Sequence, residues 1–228
     1  MVLANLGAMQ MDVGDYGQAQ INNEEALSIS RQIGSPMGQS MSLINLALLN
    51  HYQGRQEESL KLSQQVLEIN KQMNSRRVQG YALIPMGHAL HDLGKSEEAQ
   101  EAYWQSLALW HELDQPNLAV EQQASLARTH MAQGRQADAL TQIDKILTHL
   151  KQEDPLEGME SPFRVYLTCY QVLQKCEDPR AQDVLETAHT QLHEKASEIV
   201  DEPMRHTYLN NVPAHREIVA AFFDNTNR

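Results

Sequence analysis

His88, His91 and Asp92 fall within five consecutive residues of the stretch GHALHDLG (87–94). Residues three and four apart share a helix face, and imidazole with carboxylate is a donor set that divalent metals accept. His51, 40 residues before His91, would add a fourth donor, so a metal-dependent activity at these four residues is one reading. His189 and His193 are also four apart, but they read as solvated surface histidines. Cys169 and Cys176 are seven apart. On a helix rising ~1.5 Å per residue that is ~10 Å, too far for a disulfide. They lack zinc-type spacing, and Cys169 falls on an apolar face, as a buried structural thiol would. The chain has no phosphate loop, no G-x-G-x-x-G, no H-E-x-x-H and no G-x-S-x-G elbow. No catalytic residue, metal or cofactor is assigned on this basis.

What those residues do depends on the elements that carry them. Hydrophobic residues make up 41% of the 228 and aromatics only 5%, which favours helices over aromatic-rich strands. A net charge of −12 opposes direct contact with a phosphate backbone. No apolar run approaches the ~20 residues that span a bilayer, and MVLANLGAMQ lacks the basic start and apolar block of a signal peptide. The reading is cytoplasmic, with no membrane contact.

Periodicity is the strongest signal. Gly14, Gly54, Gly94 and Gly134 recur every 40 residues in a chain with only 11 Gly. Leu27, Leu67, Leu107 and Leu147 form a leucine column, and Leu6, Leu46, Met86 and Leu126 an apolar one. Two columns are small: Ala19, Ser59, Ala99, Ala139 and Gly7, Ala47, Gly87, Ala127. Periods of 20–50 residues mark solenoids. Each period predicts a helix A ending at the column glycine, a tight turn, and a helix B ending at Gly34, Asn74, Asp114 or Asp154. Glycine accepts the left-handed conformation past a helix end, Pro36 and Pro116 suit a first turn, and small residues let paired helices approach closely. The pairs Glu57–Glu58 and Glu97–Glu98 then fall in first turns of helix B, where they complement the dipole and are not an acid–base pair. Pro85 inside helix A of the third unit is expected to kink or shorten it. Trp104 and Trp110 read as inter-helix packing.

These residues resemble the tetratricopeptide repeat family. NLGAMQMDVGDYGQAQINNEEAL (5–27) carries its Leu-Gly pair, then Gly-Asp-Tyr at the turn, Ala in helix B and the later Ala-Leu. The next three units match with substitutions, over roughly residues 1–153. The resemblance implies a right-handed all-α superhelix of about five hairpins, with units near 1–34, 35–74, 75–114, 115–154 and 160–200, and capping helices with a tail over 201–228. The 40-residue period is similar to repeats of bacterial signalling regulators and of spindle-orientation adaptors. In the fifth unit, 163–176 reads as helix A and 179–199 as helix B, with Cys176 in the turn-glycine column and the frame shifted by two. The stretch 204–223 reads as a helix, a break at Pro213 and a short closing helix. Helix A of the first unit has nothing before it to cover its exposed face, so the chain reads as an excerpt of a longer protein, and that face is a candidate for homodimer formation.

In this family helix A lines a concave groove where partners bind. The matching positions are Asn45, Leu48, His51 and Tyr52 in unit two, His88, His91 and Asp92 in unit three, and Arg128 and Met131 in unit four. Positions nearer the start of helix A hold Met41, Ile44, Tyr81, Ile84, Glu121 and Ala124, unlike the Lys, Arg and Asn of chaperone-tail clamps. The resemblance therefore implies a non-enzymatic scaffold for an amphipathic helix or mixed peptide, as part of a larger regulator. A sensor for a small ligand or peptide pheromone is the alternative.

Overall fold

The computed structural model describes residues 2–152, 155–156 and 158–226. Every regular element among them is helical: α1 (Val2–Asp12), α2 (Tyr16–Gln32), α3 (Pro36–Tyr52), α4 (Gln56–Met73), α5 (Arg76–Asp92), α6 (Ser96–Glu112), α7 (Pro116–Ala132), α8 (Gln136–His149), α9 (Pro162–Lys175), α10 (Arg180–Glu198), α11 (Glu202–Asn211) and α12 (Pro213–Thr226). They form two compact units, residues 1–119 and 120–228.

The turns explain the glycine column. Gly14, Gly54, Gly94 and Gly134 have φ of 79°, 76°, 78° and 73°. A Cβ at Gly54, Gly94 or Gly134 would meet nothing within 4 Å. Backbone conformation, not space, therefore demands glycine there. At Gly94 the helix closes with Gly94 N donating to His91 O at 3.0 Å and Lys95 N to Leu90 O at 2.9 Å. The B-to-A turns use Gly34 (φ 66°), Asn74 (49°) and Asp114 (53°), and Asn and Asp are the side chains that best tolerate this region. The expected fourth helix-B end, Asp154, lies outside the described residues.

In the first unit, α1/α2, α3/α4 and α5/α6 are successive hairpins stacked on one another. The small columns sit where helices touch. Ala19, Ala47, Ser59 and Ala99 are fully buried. A Cβ on Gly87 would lie 2.5 Å from Tyr103 Cε1, and one on Gly80 2.7 Å from Trp110 Cζ2. Trp110 is enclosed and meets Tyr81 edge-on at 4.9 Å, whereas Trp104 remains 38% exposed. Of the two tryptophans, Trp110 is the fully enclosed one. Pro85 does not shorten its helix, since α5 runs 17 residues like α3. Proline removes a single helical bond, and the flanking Leu83, Ile84, Ala89 and Leu90 are all buried.

In the second unit Cys169, Leu173, Leu185, Ala188, Leu192 and Ile218 build a core from α9, α10 and α12. Burial pushes the Cys169 thiol up to about 12, which makes it inert as a nucleophile. The start of α9 is held by Glu121, whose carboxylate accepts from Glu160 N at 2.6 Å and Ser161 N at 2.9 Å. The left-handed residue past α9 is Glu177 (φ 54°), not Cys176. As in the other units, the left-handed residue stands two past the last residue of helix A (Lys175), so the turn-glycine column falls on Glu177. Val212 is extended and Pro213 opens α12. His189 is not solvated surface: its ring stacks on Phe222 at 3.8 Å and 7°, with His193 at 4.4 Å. Helix α12 covers that face of α10, which the i, i+4 pairing alone could not reveal.

Candidate functional site

The ends of α3 and α5 bring the expected chemistry together within the first unit. A ladder of rings runs from Tyr16 to Tyr52 (centroids 5.8 Å apart), Tyr52 to His51 (5.5 Å), His51 to His88 (5.1 Å) and His88 to Tyr103 (5.5 Å). Gly87 lets Tyr103 in, and the fully buried Tyr103 hydroxyl meets His88 Nδ1 at 2.7 Å. His51 Nδ1 lies 3.3 Å from Asp92 Oδ2 and 3.1 Å from Gln56 Oε1. Gln56 Nε2 donates to Asp92 Oδ2 at 3.1 Å and to His51 O at 3.3 Å. Gln56 thus ties the last turn of α3 to that of α5.

Column register suggests that His51 faces His91. The structure instead sets His51 against His88 and Asp92. These two are four apart and share one face of α5, whereas His91 is turned from Asp92 by ~100° at 3.6 residues per turn.

Several of the expected groove residues are occupied in packing. His88 is only 4% exposed. Asn45 is buried, with Nδ2 donating to Ala4 O at 2.8 Å and to Asn23 Oδ1 at 2.9 Å. It fastens α3 to α1 and α2. Leu48 is half-buried between two apolar clusters. On α7, Arg128 is half-buried, while Met131 is buried with Sδ 4.0 Å from Cys176 Sγ. Solvent reaches His51, Tyr52, His91 and Asp92.

Tyr16, Gln56 and Tyr103 join the site without having been singled out. Tyr16 and Gln56 share a repeat column one turn past the A-helix end, and that shared register was the available signal. Among the described residues, no group of three or more His, Cys, Asp or Glu could hold a metal ion, and no helix is long and apolar enough to cross a membrane.

Two tetratricopeptide repeat profiles match the chain, one over residues 1–72 and one over 80–103 and 121–145, together more than half of it. No curated protein matches significantly. A Rap protein complexed with Competence and Sporulation Factor is similar in structure, with TM-score 0.64, 15% identity, 99% of this chain and 63% of that chain covered. The apo form of RapI gives 0.65, 12%, 97% and 64%, and BtubC from P. vanneervenii 0.61, 16%, 88% and 82%. The chain therefore spans somewhat under two thirds of the two Rap proteins, and likeness at these identities speaks to fold.

Proposed function

Because this chain belongs to the tetratricopeptide repeat family, an all-α solenoid of helix hairpins, we propose that it is a non-catalytic module that holds a protein segment or peptide. In the finer reading it is the sensor or interaction region of a larger bacterial signalling or transcriptional regulator. The observation that carries this is the ring ladder at the ends of adjacent A helices, in a chain with only 5% aromatics. Rings with an apolar body and a polar edge are suited to gripping a peptide. Its test is capture of a partner by wild-type protein and by Tyr52→Ala, His91→Ala and Arg128→Ala. Loss in the variants supports binding along the A helices, and unchanged capture moves it to the outer face or the ends.

A second reading, a sensor for a peptide pheromone or small ligand, draws on the likeness to a Rap protein complexed with such a factor. A peptide that binds only folded protein raises Tm, by mass action, and a protein partner captured in peptide-free lysate argues against this reading. Exposed Val2, Leu6 and Met9 on α1 (83%, 42% and 64%) also support self-association through the first hairpin. Light scattering that finds a monomer at high concentration removes that part.

A further inference from the structure

We propose that the outer face of α1, formed by Val2, Asn5, Leu6 and Met9, is the interface of a symmetric dimer in which α1 pairs antiparallel with α1 of a second copy. This rests on the self-association reading above and names the pairing and its contacts.

The face repeats one that already joins two hairpins of this chain. Forty residues on, the same columns hold Ser42, Asn45, Leu46 and Leu49, all buried on α3. These residues seat the second hairpin on the first. Leu46 clusters with Leu27 of α2, and Leu49 with Met11 and Ala19. Asn45 Nδ2 donates to Ala4 O at 2.8 Å and to Asn23 Oδ1 at 2.9 Å. On α1 all four positions are exposed. A stripe laid out to receive a helix, apolar with one amide in it, therefore faces water. Ile29 on α2 is exposed in the same way, whereas Leu109, two periods on, is buried in a cluster with Leu67 of the preceding B helix.

The layout of the stripe selects a second copy. Positions 2, 5, 6 and 9 are spaced i, i+3, i+4 and i+7, one face of a helix, and this pattern is unchanged on reversal. An antiparallel α1 therefore sets Val2 of one copy opposite Met9 of the other, with Asn5 and Leu6 at the twofold axis. Two amides at that axis can each donate and accept, and antiparallel helices oppose their dipoles favourably. Charge points the same way. Copies of a chain with net charge −12 repel each other, but α1 carries no charged side chain before Asp12. A basic partner would find no carboxylate on the stripe to pair with, and a hydrophilic peptide would leave its apolar side chains wet. The extent, on the order of 1,000 Å² over both copies, belongs to weak and concentration-dependent association.

The test uses the whole chain with Cys176→Ser, which leaves Cys169, a buried thiol, as the remaining cysteine. Sedimentation velocity from micromolar to near-millimolar protein is expected to show a dimer growing with concentration. Leu6→Glu, at an exposed position, is expected to abolish the dimer while leaving the circular dichroism spectrum unchanged. Mixing Leu6→Glu with Leu6→Lys copies should restore it, because the opposite charges meet at the axis. Direction is read by oxidation: Val2→Cys mixed with Met9→Cys should cross-link, and neither variant alone should. Monomer throughout, or a dimer indifferent to Leu6→Glu, overturns the inference together with self-association through the first hairpin. A dimer lost in Leu6→Glu that cross-links in Val2→Cys alone, or not in the mixture, overturns the antiparallel pairing and spares that broader reading. A monomer whose Met9→Cys thiol is shielded from alkylation only in lysate puts another protein on the stripe and overturns the inference as well.

Discussion

Replacing Gly87 by alanine sets two effects of opposite sign against each other. Glycine inside a helix costs roughly 0.5–1 kcal/mol relative to alanine, so propensity alone makes Gly87→Ala stabilising. The structure reverses this. The new Cβ would sit 2.5, 2.8 and 2.9 Å from Cε1, Cδ1 and Cζ of Tyr103. That ring is fully buried and bonded to His88, so it cannot swing aside. Overpacking costs about 1–3 kcal/mol, and three ring atoms inside contact distance argue for the upper end. Subtracting about 1 kcal/mol of helix propensity leaves a net loss of about 2 kcal/mol. Gly17→Ala is the control: it lies on an exposed turn of α2, and its nearest neighbour would be Asp15 Oδ1 at 3.9 Å. Urea unfolding should show Gly87→Ala losing stability while Gly17→Ala holds or gains a few tenths of a kcal/mol. Adding Tyr103→Leu should make Gly87→Ala nearly neutral, since the clash goes with the ring. If Gly87→Ala matches or exceeds Gly17→Ala in stability, the close approach of α5 and α6 is wrong.

Tyr103→Phe leaves a buried imidazole nitrogen without its partner and should cost about 1–3 kcal/mol, with the histidine signals of His88 moving in the NMR spectrum. Burial holds the His215 imidazole, which bonds Tyr208 O at 2.8 Å, at a pKa of about 4, below its ordinary 6.5. The unfolded chain then takes up a proton first, so stability is full above pH 6.5 and falls as pH drops toward 4. At 1.4 kcal/mol per unit the loss approaches roughly 3 kcal/mol; His215→Gln should flatten the acid limb of urea midpoints, and an unchanged slope contradicts the assignment. Glu121 runs the other way. Burial and Glu160 raise its carboxyl to about 7 despite two backbone N–H bonds, so its contribution is present below pH 4.5 and lost as pH rises through 7. Glu121→Gln keeps an acceptor without the charge and should be at least as stable as wild type at pH 8, by the same unfolding curves. Lower stability there would mean the charge itself holds α9.

The repeat was readable because its punctuation is backbone chemistry. The turn glycines need a positive φ, which no other common residue supplies so cheaply, and they therefore recur in the sequence at fixed intervals. The small columns were legible for a related reason, since contact between helices excludes a Cβ. What a column cannot convey is the partner across the contact. Asn45 has the residue type of a groove donor, but its amide is spent on Ala4 and Asn23. His88 and His91 look equivalent on paper, yet a Tyr103 contributed by another helix decides that one is buried and the other is not. The fifth unit was legible in its helices and misleading in its turn, because no glycine marks the left-handed position there, which is Glu177 and not Cys176.

The Tyr103–His88 contact also bears on how such a surface can change. Tyr103 belongs to α6, a B helix, while the rings it orders belong to the A-helix layer. A substitution at Tyr103 can therefore retune the exposed rings without altering them. Under the peptide-binding reading proposed above, specificity could be changed from behind these rings, and a comparison of contact residues alone would miss it.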